Sequence, residues 1–412
     1  MKAHGDAGDY YGKVFARTEP PFAFVDLDAL TANAHDLLRR AQGKPVRIAS
    51  KSLRARKIIE YVLGLDSGFQ GIMAFTLDEA LWLHGLGARG VLVAYPTTDT
   101  ELLGALAERT AEDPEGAPVV MIDSPDHVEL IEHAARRSGT GTGTDTGTGT
   151  GVKTCLDFDA SFWLAGGRIR IGAKRTPIHT PEQAAAAARR VERSASARLV
   201  GVMSYEAQIA GTGDAVPKRP VANRVIRLMQ DRSHRELRER RALAVEAISR
   251  ITPLDFVNAG GTGDLELVAS EPVVTEVTAG SGLYAPALFD RYSRFAPQAA
   301  AFFALPVVRR PGPRTVTVLG GGYVASGVPR WDRAPVPAFP PGLRYDGNEG
   351  AGEVQTPLIG PAAEHLTVGS PVFFRHAKAG ELCERFNELH LLQDGEIVDI
   401  VPTYRGEGRC FL

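Results

Sequence analysis

Residues 46–62 read VRIASKSLRARKIIEYV. A short apolar run of strand length, 46–49, is followed at once by Lys51, and from Arg56 the apolar residues return at helical spacing. The same strand-then-helix unit recurs along the chain. Residues 22–27 (FAFVDL) precede a helical stretch at 30–40, 71–75 precede 77–86, and 91–94 precede 100–108. Further strand-like runs fall at 119–122, 153–156 and 199–203, and a long helix predicted over 221–249 leads to another at 256–258. About eight such units in ~250 residues predict a parallel (β/α)8 barrel, with an open doubly wound sheet as the alternative.

Beyond about residue 285 the helical periodicity fades. Short β-rich runs at 300–308, 314–319, 370–374 and 395–401, punctuated by Pro and Gly, predict a smaller C-terminal β domain. The expected division is an N-terminal extension, 1–20, packing on the β domain; a barrel over 21–285; and the β domain over 286–412. Residues 138–151, SGTGTGTDTGTGTG, have no side chain able to bury surface and are expected to form a flexible loop inside the barrel domain.

Composition narrows the function classes. The 412 residues carry 47 Lys and Arg against 49 Asp and Glu, so no net charge draws the chain to nucleic acid or an anionic membrane. No run approaches the ~18 apolar residues of a membrane span, and the N-terminus lacks a secretory apolar core. Three cysteines, Cys155, Cys383 and Cys410, are too few for a disulfide framework and fit a cytoplasmic location.

In such a barrel the chemistry sits at the C-terminal ends of the strands. Lys51 occupies such an end, where desolvation can prepare an amine for Schiff-base chemistry; otherwise it is a solvated surface lysine. Gly260-Gly261-Thr262-Gly263 and Gly280-Ser281-Gly282 are two late glycine-rich turns whose amides and hydroxyls suit a phosphate, though each alone is also an ordinary tight turn. Tyr205-Glu206 offers a phenol and a carboxylate at the mouth, or a tyrosine satisfying the rim. Of Arg168, Arg170 and Arg175, one is a candidate anion anchor and the rest surface charge. His376 and Cys383, with Glu381 between them, are metal-ligand types at no recognised finger spacing, and a buried structural pair is the plainer account. His84, His127 and His133 fall on helical faces and are read as solvated or core residues.

The order of these motifs carries a resemblance. PFAFVDLD (21–28), Lys51, AFTLDEA (74–80), LVAYP (92–96), GVMSYE (201–206), GGTG (260–263) and EVTAGS (276–281) together resemble fold-type III pyridoxal-phosphate enzymes, the alanine racemase-like proteins. More narrowly, they resemble the D-threonine aldolase and D-serine dehydratase branch, with its bacterial amino acid deaminase/aldolase relatives.

The resemblance implies that Lys51 bears pyridoxal 5'-phosphate as a Schiff base. It also implies that Gly260, Gly261, Thr262, Gly280 and Ser281 hold the phosphate and that Tyr205 lies near the pyridine ring. It further implies a lyase acting on a small β-hydroxy amino acid of D configuration, by retro-aldol cleavage or by elimination, and a homodimer. Metal-dependent relatives carry a His-x-Cys or His-x-Asp pair that holds Zn²⁺ or Mn²⁺. Here Lys378 stands at the second position, so a divalent site would be rebuilt from His376 and Cys383, with Glu381 and Glu384 nearby, or is lost. The alternatives are a racemase, whose second base would come from the β domain of a partner subunit, where Tyr323 and Tyr404 are available, a non-catalytic pyridoxal-phosphate carrier, and a cofactor-free barrel acting on a phosphorylated substrate.

Overall fold

The computed structural model of the chain describes residues 4–140, 151–328 and 330–412. Most of the expected glycine-threonine loop, 141–150, lies outside the described residues.

Eight parallel strands form the barrel: Val46–Ala49, Phe69–Ala74, Val91–Val93, Val120–Ile122, Val152–Asp157, Ala197–Ser204, Phe256–Ala259 and Glu276–Ala279. Each pairs with its neighbour in parallel register, Val46–Ala49 joining the last strand to the second. The two edge strands meet at the bridge Leu92–Val119, where the Val93 amide donates to the Val119 carbonyl at 2.8 Å and nearly closes the ring. Helices return the chain between strands, and their starts are written locally. The Thr76, Asp99, Ser124 and Thr180 side chains each accept from an amide of the first helical turn. Helix Pro220–Ser249 buries Gln230, Ser233, Leu237, Arg241, Ala244 and Ile248, a stripe at helical spacing that is laid against the barrel.

One expected barrel strand belongs elsewhere. Phe22–Asp26 pairs antiparallel with Ala301–Gly312 and parallel with Glu388–Gln393, inside the C-terminal sheet. All five of its residues are buried. Phe22 and Phe24 pack on one face with Tyr11, Phe15, Phe302 and Phe373, while Ala23 and Val25 join the large core cluster. The alternation of large and small apolar residues fits a strand covered on both faces of an aromatic-rich sheet. Glu276–Ala279 supplies the eighth barrel strand instead. Among the described residues the C-terminal sheet has nine strands, and helix His4–Val14 lays Tyr11 against its aromatic face. Among the described residues no helix is long and apolar enough to cross a membrane.

Candidate active site

Strand Val46–Ala49 ends in a 3₁₀ turn, Ser50–Ser52, which the Ser50 hydroxyl fastens to the Met73 carbonyl at 3.0 Å. That turn carries Lys51 into a cavity of about 390 Å³ at the C-terminal ends of the strands. The Lys51 ammonium donates to the Tyr95 hydroxyl at 2.7 Å and lies 5.2 Å from that ring's centre.

The two glycine-rich turns form another part of the cavity wall. Gly260 has φ +81°, in the left-handed region, and a Cβ there would meet the Val268 side chain at 2.4 Å. At Gly280 a Cβ would meet the Ala49 carbonyl oxygen at 2.6 Å, so this turn packs directly against the strand that bears Lys51. The amides of Gly260 and Gly261 are already engaged, donating to Glu206 Oε2 at 3.0 Å and Asp264 Oδ1 at 2.9 Å. These two glycines therefore shape the space rather than offer donors. Among the described residues no group accepts from the amides of Thr262, Gly263 or Ser281. With the Thr262 and Ser281 hydroxyls, which line the cavity, they form a donor set fit for a phosphate.

Glu206 was expected at the mouth, but the structure puts it underneath. It is fully buried and paired with Arg241, which also bonds Glu271 at 2.6 Å and the Ser204 hydroxyl at 2.9 Å. A carboxylate so deep persists only when paired, and the long helix supplies the guanidinium. Tyr205 does line the cavity, close against Gly261, and burial together with the Asp264 charge pushes its phenol up to about 12. Of the three arginines, Arg168 is exposed and Arg170 lies 3.9 Å over Trp163 on a surface hairpin. Arg175 alone lines the cavity, 5.3 Å from the ring centres of both Tyr95 and Tyr205.

His376 and Cys383 lie behind the wall. Both are buried beside Tyr284, whose ring stands edge-on to His376 at 6.2 Å and whose hydroxyl donates to the Leu53 carbonyl at 3.2 Å. Burial, with the Arg375 charge beside it, pushes the imidazole down to about 3 and leaves it neutral, and burial pushes the thiol up to about 12. Neither ring nitrogen makes a hydrogen bond of normal geometry. The expected auxiliary ligands are committed elsewhere, Glu384 to Arg54 and Glu381 to Arg385. Among the described residues no three His, Cys, Asp or Glu side chains converge. A divalent ion needs more donors than this pair, so the residues do not fit a metal centre.

Sequence reasoning missed four contributors. Tyr95 was read only as part of a motif. Lys378 and Arg333 reach the cavity from the C-terminal domain, and burial and the neighbouring Arg333, Lys51 and Arg175 charges lower the Lys378 ammonium from its ordinary value. Asn258 also lines it, donating to Glu276 at 2.9 Å and Thr278 at 2.8 Å; a polar residue within an apolar strand run was the available signal. Among the described residues that line the cavity there are four cations and no carboxylate. Neither Tyr323 nor Tyr404 lines the cavity of its own chain. Tyr323 packs on Phe303 and Phe386, and Tyr404 is buried on Glu79.

A parallel eight-stranded barrel with a strand-end lysine, two glycine-rich turns and a following β-rich domain defines the alanine racemase-like fold of fold-type III pyridoxal-phosphate enzymes. The chain belongs to the family described as "Alanine racemase, N-terminal domain", which it matches over residues 25–287. It is similar in structure to D-threonine aldolase from Filomicrobium marinum, at 19% identity over 94% of this chain and 95% of that one, with a TM-score of 0.75. It is similar also to D-threo-3-hydroxyaspartate dehydratase from Delftia sp. HT23, at 19% identity over 95% and 98%, TM-score 0.70. A third is an ala racemase-like protein from Idiomarina loihiensis, at 14% identity over 94% and 98%, TM-score 0.66. No curated protein matches the chain. At these identities the likeness is one of fold.

Proposed function

We propose that this protein is a pyridoxal-phosphate-dependent lyase of small β-hydroxy amino acids, acting by retro-aldol cleavage or by elimination of water. One observation carries the reading: a lysine amine, Lys51, enters a cavity whose charged lining residues, among those described, are all cations, and the Thr262, Gly263 and Ser281 amides of two glycine-rich turns in the same wall have no acceptor among the described residues. The names of the aldolase and dehydratase with the same fold support the choice of lyase.

In this reading Lys51 holds the cofactor, and the Thr262, Gly263 and Ser281 amides, with two hydroxyls, take its phosphate. When bound, the cofactor supplies an electron-accepting ring that stabilises negative charge at the substrate's α-carbon. The chain's own contribution is placement. Tyr205 and Tyr95 wall the space, and Arg175, Arg333 and Lys378 attract the substrate carboxylate. No step is assigned to a metal.

The test is direct. The full chain is mixed with pyridoxal phosphate, a visible absorbance band is sought, and the adduct is fixed with borohydride and mapped. A reduced adduct at Lys51, absent from Lys51→Ala, is expected. An adduct elsewhere, or none, sinks the proposal.

A further inference from the structure

Tyr95 follows the barrel strand Val91–Val93, and its phenol is the group that Lys51 touches. The 2.7 Å contact joins the phenol oxygen to the nitrogen that must react. Three cations face this phenol: Lys51 from its own turn, Arg175 over the ring at 5.3 Å, and Lys378 from the C-terminal domain. Tyr205 approaches from beyond Arg175, and Arg333 stands behind Lys378. Among the described residues no Asp or Glu lines the cavity. A lysine ammonium cannot attack a carbonyl until it loses a proton, and the side chain in hydrogen-bond reach to receive that proton is Tyr95.

We infer that Tyr95 is a catalytic acid–base residue that takes the proton from Lys51 as its amine becomes nucleophilic and returns it when the amine is set free. In this step an N–H bond of the Lys51 ammonium breaks, an O–H bond forms on Tyr95, and nitrogen keeps the electron pair. Ammonium plus phenolate become amine plus phenol, so charge balances with no further reactant. The electrostatics agree. Burial works against ionising the phenol, but the Lys51 charge and hydrogen bond, with Arg175 and Lys378, outweigh it and hold Tyr95 below the ordinary tyrosine value. The inference rests on the reading of Lys51 as a nucleophile.

It is tested on the full chain without cofactor. Limiting acetic anhydride is added at a series of values between about pH 6 and 11, which passes the ordinary phenol value of about 10. Acetylation of Lys51 is then read by peptide mass spectrometry against exposed Lys57 of the same molecule. In Tyr95→Phe, which keeps the ring, relative acetylation of Lys51 at neutral pH falls by about tenfold or more and recovers in alkali. Tyr95→His, which restores an acid–base group, regains part of the loss. Unchanged or faster acetylation of Lys51 in Tyr95→Phe at neutral pH overturns the inference, because the phenol would then only hold the ammonium. The reagent is not pyridoxal phosphate, so the two readings fail separately: absence of a cofactor adduct counts against the proposed function, and an unaltered acetylation profile counts against Tyr95.

Discussion

The hydroxyl of Tyr404 donates a 2.8 Å hydrogen bond to Glu79, a carboxyl with no exposed surface whose other oxygen accepts the Phe75 amide at 2.7 Å. The contact ties a barrel helix to the segment after the last strand of the C-terminal sheet, and the Tyr404 amide adds a bond to the Arg54 carbonyl. Replacing Tyr404 by Phe leaves a buried acceptor without its donor. We expect a loss of about 1–3 kcal/mol in urea unfolding, with the wild-type fold retained. Unchanged stability would mean that the bond contributes nothing net.

Asp157 ends a barrel strand, and burial raises its carboxyl to about 7 despite the opposing charge of Arg175. In the unfolded chain the same group titrates near ~3.9. Its contribution to stability is therefore complete below about pH 4 and is lost as pH rises through about 7. Asp157→Asn, which stays neutral, is expected to be more stable than wild type at pH 8, by on the order of 2–4 kcal/mol, and to match it near pH 4. Thermal melts across this range check the sign, and a gain that grows in acid contradicts it.

Among the described residues the Ser281 hydroxyl makes one long hydrogen bond, donating to Thr262 Oγ1 at 3.4 Å, and it is left for a stronger partner such as an anion. Ser281→Ala is expected to weaken pyridoxal phosphate binding by about tenfold or more, the loss of a hydrogen bond to a charged group. Pyridoxal, which lacks the phosphate, should bind both forms alike. Equal losses for the two ligands would place the phosphate elsewhere.

The donor set behind the cavity predicts the metal content. With His376 and Cys383 joined by no third ligand among the described residues, the purified chain should carry far less than one Zn²⁺ or Mn²⁺ per molecule. Elemental analysis measures this, and a full equivalent of metal that disappears in His376→Ala contradicts it.

The barrel was legible because each unit spells itself locally. Val46–Ala49 is a strand-length run, and from Arg56 the apolar residues return at helical spacing, as they do after most of the other strands. Lys51 and the glycine turns were visible for the same reason: a strand-end position is a local property. What was hidden depends on partners far along the chain. Nothing near residues 22–26 says that their partners are 301–304 and 390–392. Glu206 looks like a mouth carboxylate until Arg241 arrives from a helix some distance on. Lys378 looks like the residue that spoils a metal motif, and only the fold turns its ammonium toward the cavity.

The strand Phe22–Asp26 lies between two partners, residues 301–304 and 390–392, that both follow the whole barrel in sequence. During synthesis all eight barrel strands emerge while this one still lacks its later neighbours, so both of its backbone edges stay unpaired until those segments appear. A cut at the end of the barrel would not release two independent halves. It would strand an apolar ribbon on one fragment and leave an open seam in the sheet of the other, and the fragments would regain order only by finding each other.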